Sequence, residues 1–72
     1  MSVLATNATL PQIKELLRDD QTTLNGLEIE DTGQSFEEGG VELHVLAMYT
    51  NALSAMTLEE VLGSAGFKYQ WL

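Results

Sequence analysis

Apolar residues recur at helical spacing near the start of the chain. The apolar positions are Leu10, Ile13, Leu16 and Leu17. Thr9 precedes them with Gln12 three residues later, which is the capping-box pattern of a helix N-terminus. Pro11 falls in the first turn, where its missing N–H removes no intrahelical hydrogen bond. The pattern predicts an amphipathic helix from about residue 10 to 20.

Two further segments alternate between apolar and polar residues, as strands do. Leu27–Asp31 alternates strictly after an Asn-Gly turn, and Val41–Tyr49 is the longest strand candidate. Residues 32–40 are polar and rich in glycine, which predicts a loop. A capping box that begins at Ser35 leaves open a long helix over 36–56 and a mostly α chain. The strand is preferred because Gly39 and Gly40 would weaken that helix near its start.

The last third of the chain predicts one short helix and one strand. Thr57-Leu58-Glu59-Glu60 is a third capping box, with Gly63 and Gly66 placed to end the helix that it opens. Residues 67–71 then alternate between aromatic and polar side chains, a strong strand pattern.

A short internal similarity suggests how these elements are arranged. Residues 3–10 run from an apolar segment through Thr-Asn-Ala to a Thr-Leu helix start, and residues 45–58 contain the same succession. A strand–helix–strand unit used twice gives the order β-α-β-β-α-β. We therefore expect one α+β domain over residues 1–72, ferredoxin-like, with a four-stranded antiparallel sheet and two helices on one face.

The alternation in the third strand leads to an expectation about the two faces of the sheet. Its odd-numbered positions, 41 to 49, are apolar throughout, which places them against the helices together with Leu27, Ile29 and the aromatic residues of the last strand. The residues then expected on the open face are Leu4, Glu28, Glu30, Glu42, His44, Leu46, Met48, Lys68 and Gln70. Leu46 and Met48 would form an exposed apolar patch, which indicates a covered surface.

Composition and charge exclude several classes of function. The chain has 72 residues, three basic against eleven acidic side chains and no cysteine, and its net charge is −8. Such a charge repels phosphates, so direct binding to nucleic acid or to an anionic membrane is not expected. No secretion signal and no membrane span are predicted. The lack of cysteine favours a cytoplasmic location.

No residue pattern predicts catalysis or a bound metal. His44 is the single histidine and has no cysteine to act with, so a strand histidine near Glu42 is the simpler interpretation. Asp31 begins a calcium-loop spacing, but Phe36 stands where that loop requires glycine. Gly39-Gly40 lacks the lysine of a phosphate-binding loop. We therefore expect no enzyme activity, no metal and no cofactor.

The remaining hypothesis is a small binding protein. Its carboxylates are expected to dock on a basic surface of a partner protein, as a phosphate or nucleic-acid mimic of the inhibitor or adaptor type that phages encode. The predicted partner-binding residues are Glu28, Glu30, Asp31, Glu37, Glu38, Glu42, His44, Leu46 and Met48. A self-assembling module, a homodimer through the Leu46–Met48 patch or through edge strands, is the first alternative. A small-ligand sensor domain is the second.

Overall fold

A computed structural model describes residues 1–72 and shows an α+β fold of one sheet and three helices. The elements are β1 (Ser2–Thr6), α1 (Leu10–Leu16), α2 (Gln21–Asn25), β2 (Leu27–Glu38), β3 (Val41–Thr50), α3 (Ala52–Ser64) and β4 (Tyr69–Trp71). The four strands are ordered β2-β3-β1-β4, and every neighbouring pair is antiparallel. The predicted four-stranded antiparallel sheet is confirmed, and the long helix over 36–56 is wrong. None of the helices has the length and apolar character needed to cross a membrane.

The core lies between the helices and the face of the sheet that carries Leu4. It consists of Leu4, Ala8, Ile13, Leu17, Leu46, Met48, Leu58 and Leu62, all of them buried. Leu27, Ile29 and Phe67 pack against this cluster, as the sequence predicts. Leu4 pairs with Leu46 on one side and with Trp71 on the other, so these three side chains share one face.

The predicted facing of β3 is wrong. Leu46 and Met48 are 0% and 1% exposed in the core, whereas Tyr49 is 61% exposed on the open face. Leu4 is likewise buried and does not belong to the open face. The cause is that residues 45–49 are apolar on both faces, so alternation within them cannot select the buried side. The polar residues Glu42 and His44 indicated that the even-numbered face is exposed to solvent. β1 pairs with β3 only as far as His44, however, so Glu42 lies beyond the paired part of β3.

The first helix is shorter than predicted, and a second helix follows it. The Thr9 capping box is present: the Thr9 Oγ1 accepts from the Gln12 N–H at 3.3 Å. Helix α1 ends at Leu16, and Asp20 caps the start of α2. Its carboxylate accepts from the Thr23 N–H at 3.1 Å and from the Thr23 hydroxyl at 2.7 Å. Both hydrogen bonds from Thr23 lower the pKa of Asp20, and the bond from the hydroxyl has a larger effect than the bond from the N–H.

Helix α3 begins five residues before the predicted Thr57 capping box. Asn51 caps it, with its Oδ1 accepting from the Ser54 N–H at 2.8 Å. The helix passes through Gly63 and ends at Ser64, and Gly66, just after the C-cap Ala65, has a φ of +83°. The Gly66 N–H donates to the Gly63 carbonyl and the Phe67 N–H to the Leu62 carbonyl, a Schellman ending that favours glycine. This ending leaves Phe67 outside β4, which is shorter than the predicted strand.

The predicted loop over residues 32–40 is mostly strand. β2 continues to Glu38, and Gly39-Gly40, with φ of +59° and +79°, forms a two-residue turn into β3. The register shifts between Asp31 and Ser35, so that three β2 residues lie opposite Val45 alone. We call residues 27–50 the acidic hairpin; its outer part extends past the end of β1.

Candidate functional site

The acidic hairpin concentrates the charge of the protein. Its six carboxylates are Glu28, Glu30, Asp31, Glu37, Glu38 and Glu42, and residues 27–50 contain no lysine or arginine. All six residues are exposed. More than half of the eleven acidic side chains therefore lie on two adjacent strands, and the three basic residues lie elsewhere. This hairpin is the candidate functional site.

At the base of the hairpin, two carboxylates lie on the open face of the sheet. Glu28 pairs with Tyr49 and Glu30 with Ala47, which places all four side chains on the same side. These residues line a shallow groove that Met1 also borders. Tyr49 is exposed, so the base presents a phenol ring beside two negative charges.

Near the tip, two glutamates face each other across the strands. Glu37 pairs directly with Glu42 in the β2–β3 ladder. Directly opposed side chains have Cβ atoms about 4.5–5.5 Å apart, and like charges in that position are destabilising. His44 Nδ1 lies 4.0 Å from Glu42 Oε1, and neither Lys nor Arg forms an ion pair with either glutamate. The hairpin thus holds a repulsive pair that the chain itself does not neutralise.

Asp31 shapes the bulge in the middle of β2. Its Oδ1 accepts from the Gly33 N–H at 2.9 Å, and the Thr32 hydroxyl accepts from the Gln34 N–H at 3.2 Å. The same Thr32 hydroxyl donates to the Val45 carbonyl at 2.7 Å, which fixes the bulge to β3. One oxygen of Asp31 is therefore engaged in holding the backbone.

The tip of the hairpin reaches the last strand. Gln70 Nε2 donates to Glu38 Oε2 at 3.0 Å, although β4 and β2 are at opposite edges of the sheet. Glu38, Leu43, Lys68 and Gln70 line one cleft there, and Leu43 is 5% exposed despite lying on the open face. The hairpin consequently curves over one corner of the open face.

The structure divides the predicted partner-binding residues into three groups. Glu28, Glu30 and Glu38 lie on the open face, while Asp31, Glu37, Glu42 and His44 pair on the other side of the ladder. The single carboxylate array expected from the sequence is therefore two sets on two faces. Leu46 and Met48 are buried beneath the helices and cannot touch a partner. No three His, Asp or Glu side chains come together in a way that could hold a metal ion.

Sequence reasoning missed an exposed apolar surface around β4. Leu53 and Met56 on α3 are 77% and 61% exposed, and Tyr69 and Trp71 are each partly exposed. We call these four residues the β4 edge patch. Placing the helix start at Asn51 instead of Thr57 would have put Leu53 and Met56 on a helix, three residues apart and on one side of it.

Comparison with known proteins adds no assignment. No protein-family model, curated protein or solved structure matches the chain significantly.

Proposed function

We propose that this protein is a small non-enzymatic binding module that docks its acidic hairpin on a basic surface of a partner protein. It acts as an inhibitor or an adaptor, with carboxylates in the positions that nucleic-acid phosphates would take. The partner-binding residues are Glu28, Glu30, Glu37, Glu38 and Glu42, with Asp31 and His44 supporting them. Leu46 and Met48 are removed from this set because they are buried.

The Glu37–Glu42 pair carries the proposal. Two carboxylates placed opposite each other raise the free energy of the isolated protein, since no cation of the chain lies between them. A lysine or arginine of a partner inserted between them would relieve that repulsion and form charge-assisted hydrogen bonds to both. Part of the favourable binding free energy thus comes from relief of the Glu37–Glu42 repulsion, which is present in the free protein.

The base of the hairpin supports the same mode of binding. Glu28 and Glu30 are two residues apart on one face of a strand, which separates them by roughly 6.7 Å. The exposed Tyr49 ring beside Glu28 can pack against a basic side chain through a cation–π contact. The two faces of the hairpin would then contact the two sides of a groove in the partner protein. This arrangement fits insertion of the hairpin into a groove better than contact with a flat surface.

The test is affinity capture from lysate of the source organism at low salt, with a salt gradient for elution and mass spectrometry for identification. The wild-type protein is expected to retain a small set of basic proteins that elute at moderate salt, because exposed charges are screened. Glu37→Lys/Glu42→Lys is expected to lose them. That variant replaces one like-charged pair by another, so the fold is expected to remain.

A matched control variant distinguishes the effect of the hairpin carboxylates from the effect of net charge on binding. Glu15→Lys/Asp19→Lys makes the same change of charge on the exposed surface around α1. It breaks only exposed ion pairs, which contribute little to stability. The control variant is expected to retain the same proteins as the wild type. Equal loss in both variants, or equal retention in both, contradicts docking through the hairpin.

We also infer that the chain is a ferredoxin-like domain with an added helix. The strand order β2-β3-β1-β4 supports this, because β1 and β3 occupy the centre and each is antiparallel to both neighbours. Helix α2 is the addition to the β-α-β-β-α-β order. Fold alone assigns no function, so the binding proposal rests on the hairpin and not on this relationship.

A further inference from the structure

The outer edge of β4 has backbone groups without a strand to pair with. Lys68 and Leu72 make hydrogen bonds toward β1: the Asn7 N–H donates to the Lys68 carbonyl at 3.4 Å and the Leu72 N–H to the Val3 carbonyl at 2.9 Å. Hydrogen-bonded and non-hydrogen-bonded pairs alternate along an antiparallel ladder. The N–H and C=O groups of Tyr69 and Trp71 therefore point away from β1, along the free edge.

The two edges of the sheet differ in how they are protected. β2, at one edge, carries five carboxylates and a bulge, both of which oppose pairing with another strand. β4, at the other edge, has the sequence Tyr-Gln-Trp, without charge, proline or bulge. Only one of the two edges is thus open to strand addition.

Apolar side chains border this open edge. Leu53, Met56 and Tyr69 line one shallow groove between α3 and β4, together with the polar Thr57, Glu59 and Glu60. The Trp71 Nε1 donates to Glu59 Oε2 at 3.3 Å, which holds the indole beside α3 on the helix side of the sheet. The β4 edge patch and the free backbone groups therefore form one continuous surface.

We propose that two copies of this protein pair through β4, antiparallel, about a two-fold axis at Gln70. In that register Tyr69 lies opposite the partner's Trp71, and each such pair exchanges two N–H···O=C hydrogen bonds. The two four-stranded sheets then form one continuous sheet with β4 and its copy at the centre. The acidic hairpin of each copy lies at one end of this combined sheet, where its β3 strand pairs with β1.

A second copy fits this edge because the edge is self-complementary. The register at Gln70 uses all four outward backbone groups, and each copy supplies both donors and acceptors. Tyr69 and the partner's Trp71 become a cross-strand aromatic pair on the helix side, an arrangement that stabilises antiparallel strands. Leu53 and Met56 of both copies flank this pair and lose exposed apolar area.

Charge opposes the pairing and gives it a recognisable salt dependence. Each copy carries a net charge of −8. Glu38 is hydrogen-bonded to Gln70 and is therefore a carboxylate close to the axis. Salt screens such repulsion, so the dimer is expected to become tighter as salt is added. A complex formed by the acidic hairpin with a basic protein has the opposite dependence.

The test is sedimentation equilibrium of the 72-residue protein from about 10 to 500 µM, at about 0.05 and 0.5 M NaCl, since dimerisation follows mass action. Amide hydrogen exchange by NMR is measured on the same samples. A monomer–dimer equilibrium is expected, tighter at the higher salt, with the Tyr69 and Trp71 amides gaining protection as concentration rises. A monomer throughout, or rapid exchange of both amides at the highest concentration, overturns the proposal.

Two variants at Tyr69 distinguish the contribution of backbone hydrogen bonds to dimerisation from the contribution of the tyrosine ring. Tyr69→Ala removes the side chain, and Tyr69→Pro also removes an outward N–H that makes no bond to β1. The proline variant is expected to dimerise at least about tenfold more weakly than the alanine variant. Tyr49→Ala, on the open face, is expected to dimerise as the wild type does. Equal dimerisation of the two Tyr69 variants overturns strand pairing, and none of these results depends on a basic partner.

Discussion

Asp20 stabilises the protein only while it is ionised. Its carboxylate accepts two hydrogen bonds from Thr23 at the start of α2, and its pKa in the folded protein is below the ordinary value of 3.8. Because the folded pKa is the lower one, this stability is complete above about pH 4 and is lost as the pH falls through the folded pKa. Urea unfolding between pH 7 and 3 measures the loss.

Two variants of Asp20 test that assignment. Asp20→Asn keeps a good capping side chain without a titrating group, so its stability is expected to fall less between pH 5 and 3 than that of the wild type. Asp20→Ala is expected to be less stable than both at pH 7. An Asn variant with the full acid dependence of the wild type would assign that dependence to other carboxylates.

Substitution by alanine is expected to change the free energy of unfolding in opposite directions at Gly26 and at Gly63. A Cβ on Gly26 would overlap the Ser54 hydroxyl and lie 2.6 Å from Asn51 Nδ2, at the start of α3. Gly63 lies inside α3 with nothing within 4 Å of the added atom. Gly26→Ala should lower the unfolding free energy by about 1–3 kcal/mol. Gly63→Ala should raise it by about 0.5–1 kcal/mol, the gain in helix propensity, and chemical denaturation distinguishes the two.

The facing of β3 can be tested with one buried and one exposed residue. Leu46→Ala should lower the unfolding free energy by about 2–5 kcal/mol, because it opens a cavity among Leu4, Ile13 and Leu58. Tyr49→Ala should change it by less than about 1 kcal/mol, since the ring is mostly in solvent. Urea denaturation of the two variants is sufficient. The reverse order would mean that the odd-numbered residues face the helices.

The elements show what the sequence can predict and where it cannot. Period-two alternation located β2, β3 and β4 because it depends only on neighbouring residues. It did not select the buried face of β3, which depends on the long-range pairing of Leu4 with Leu46. Alternation also missed the outer part of β2, since Gly33 and the polar residues around it resemble a loop until β3 pairs with them.

Helix starts were ambiguous for a related reason. Both Asn51 and Thr57 have a side chain that can cap, and the Thr57 pattern is the more complete capping box. Asn51 caps the helix in the structure because β3 ends at Thr50 and the chain must turn there. The carboxylates of the acidic hairpin were predicted from charge and strand alternation, although as one array with a loop over residues 32–40. The β4 edge patch depends on this helix start and was not predicted.

Across the whole molecule, charge repulsion outweighs the few ion pairs. The two close ion pairs, both made by Arg18, involve exposed carboxylates, and such pairs contribute little to stability. The net charge of −8 is spread over a molecule with a radius of gyration of 11.3 Å. Repulsion between like charges at such distances is reduced when the Debye length falls from about 10 Å at 0.1 M salt to about 3 Å at 1 M.

Salt is therefore expected to stabilise the free protein and the proposed dimer while it weakens the proposed complex with a basic partner. The melting temperature at low protein concentration, where the chain is monomeric, should rise between about 0.02 and 0.5 M NaCl. Glu28→Lys/Glu37→Lys lowers the magnitude of the net charge, since −8 + 4 = −4, and should show a smaller rise. A melting temperature that falls with salt in the wild type would mean that favourable ion pairs dominate. In that case the Glu37–Glu42 repulsion would be too weak to contribute to binding.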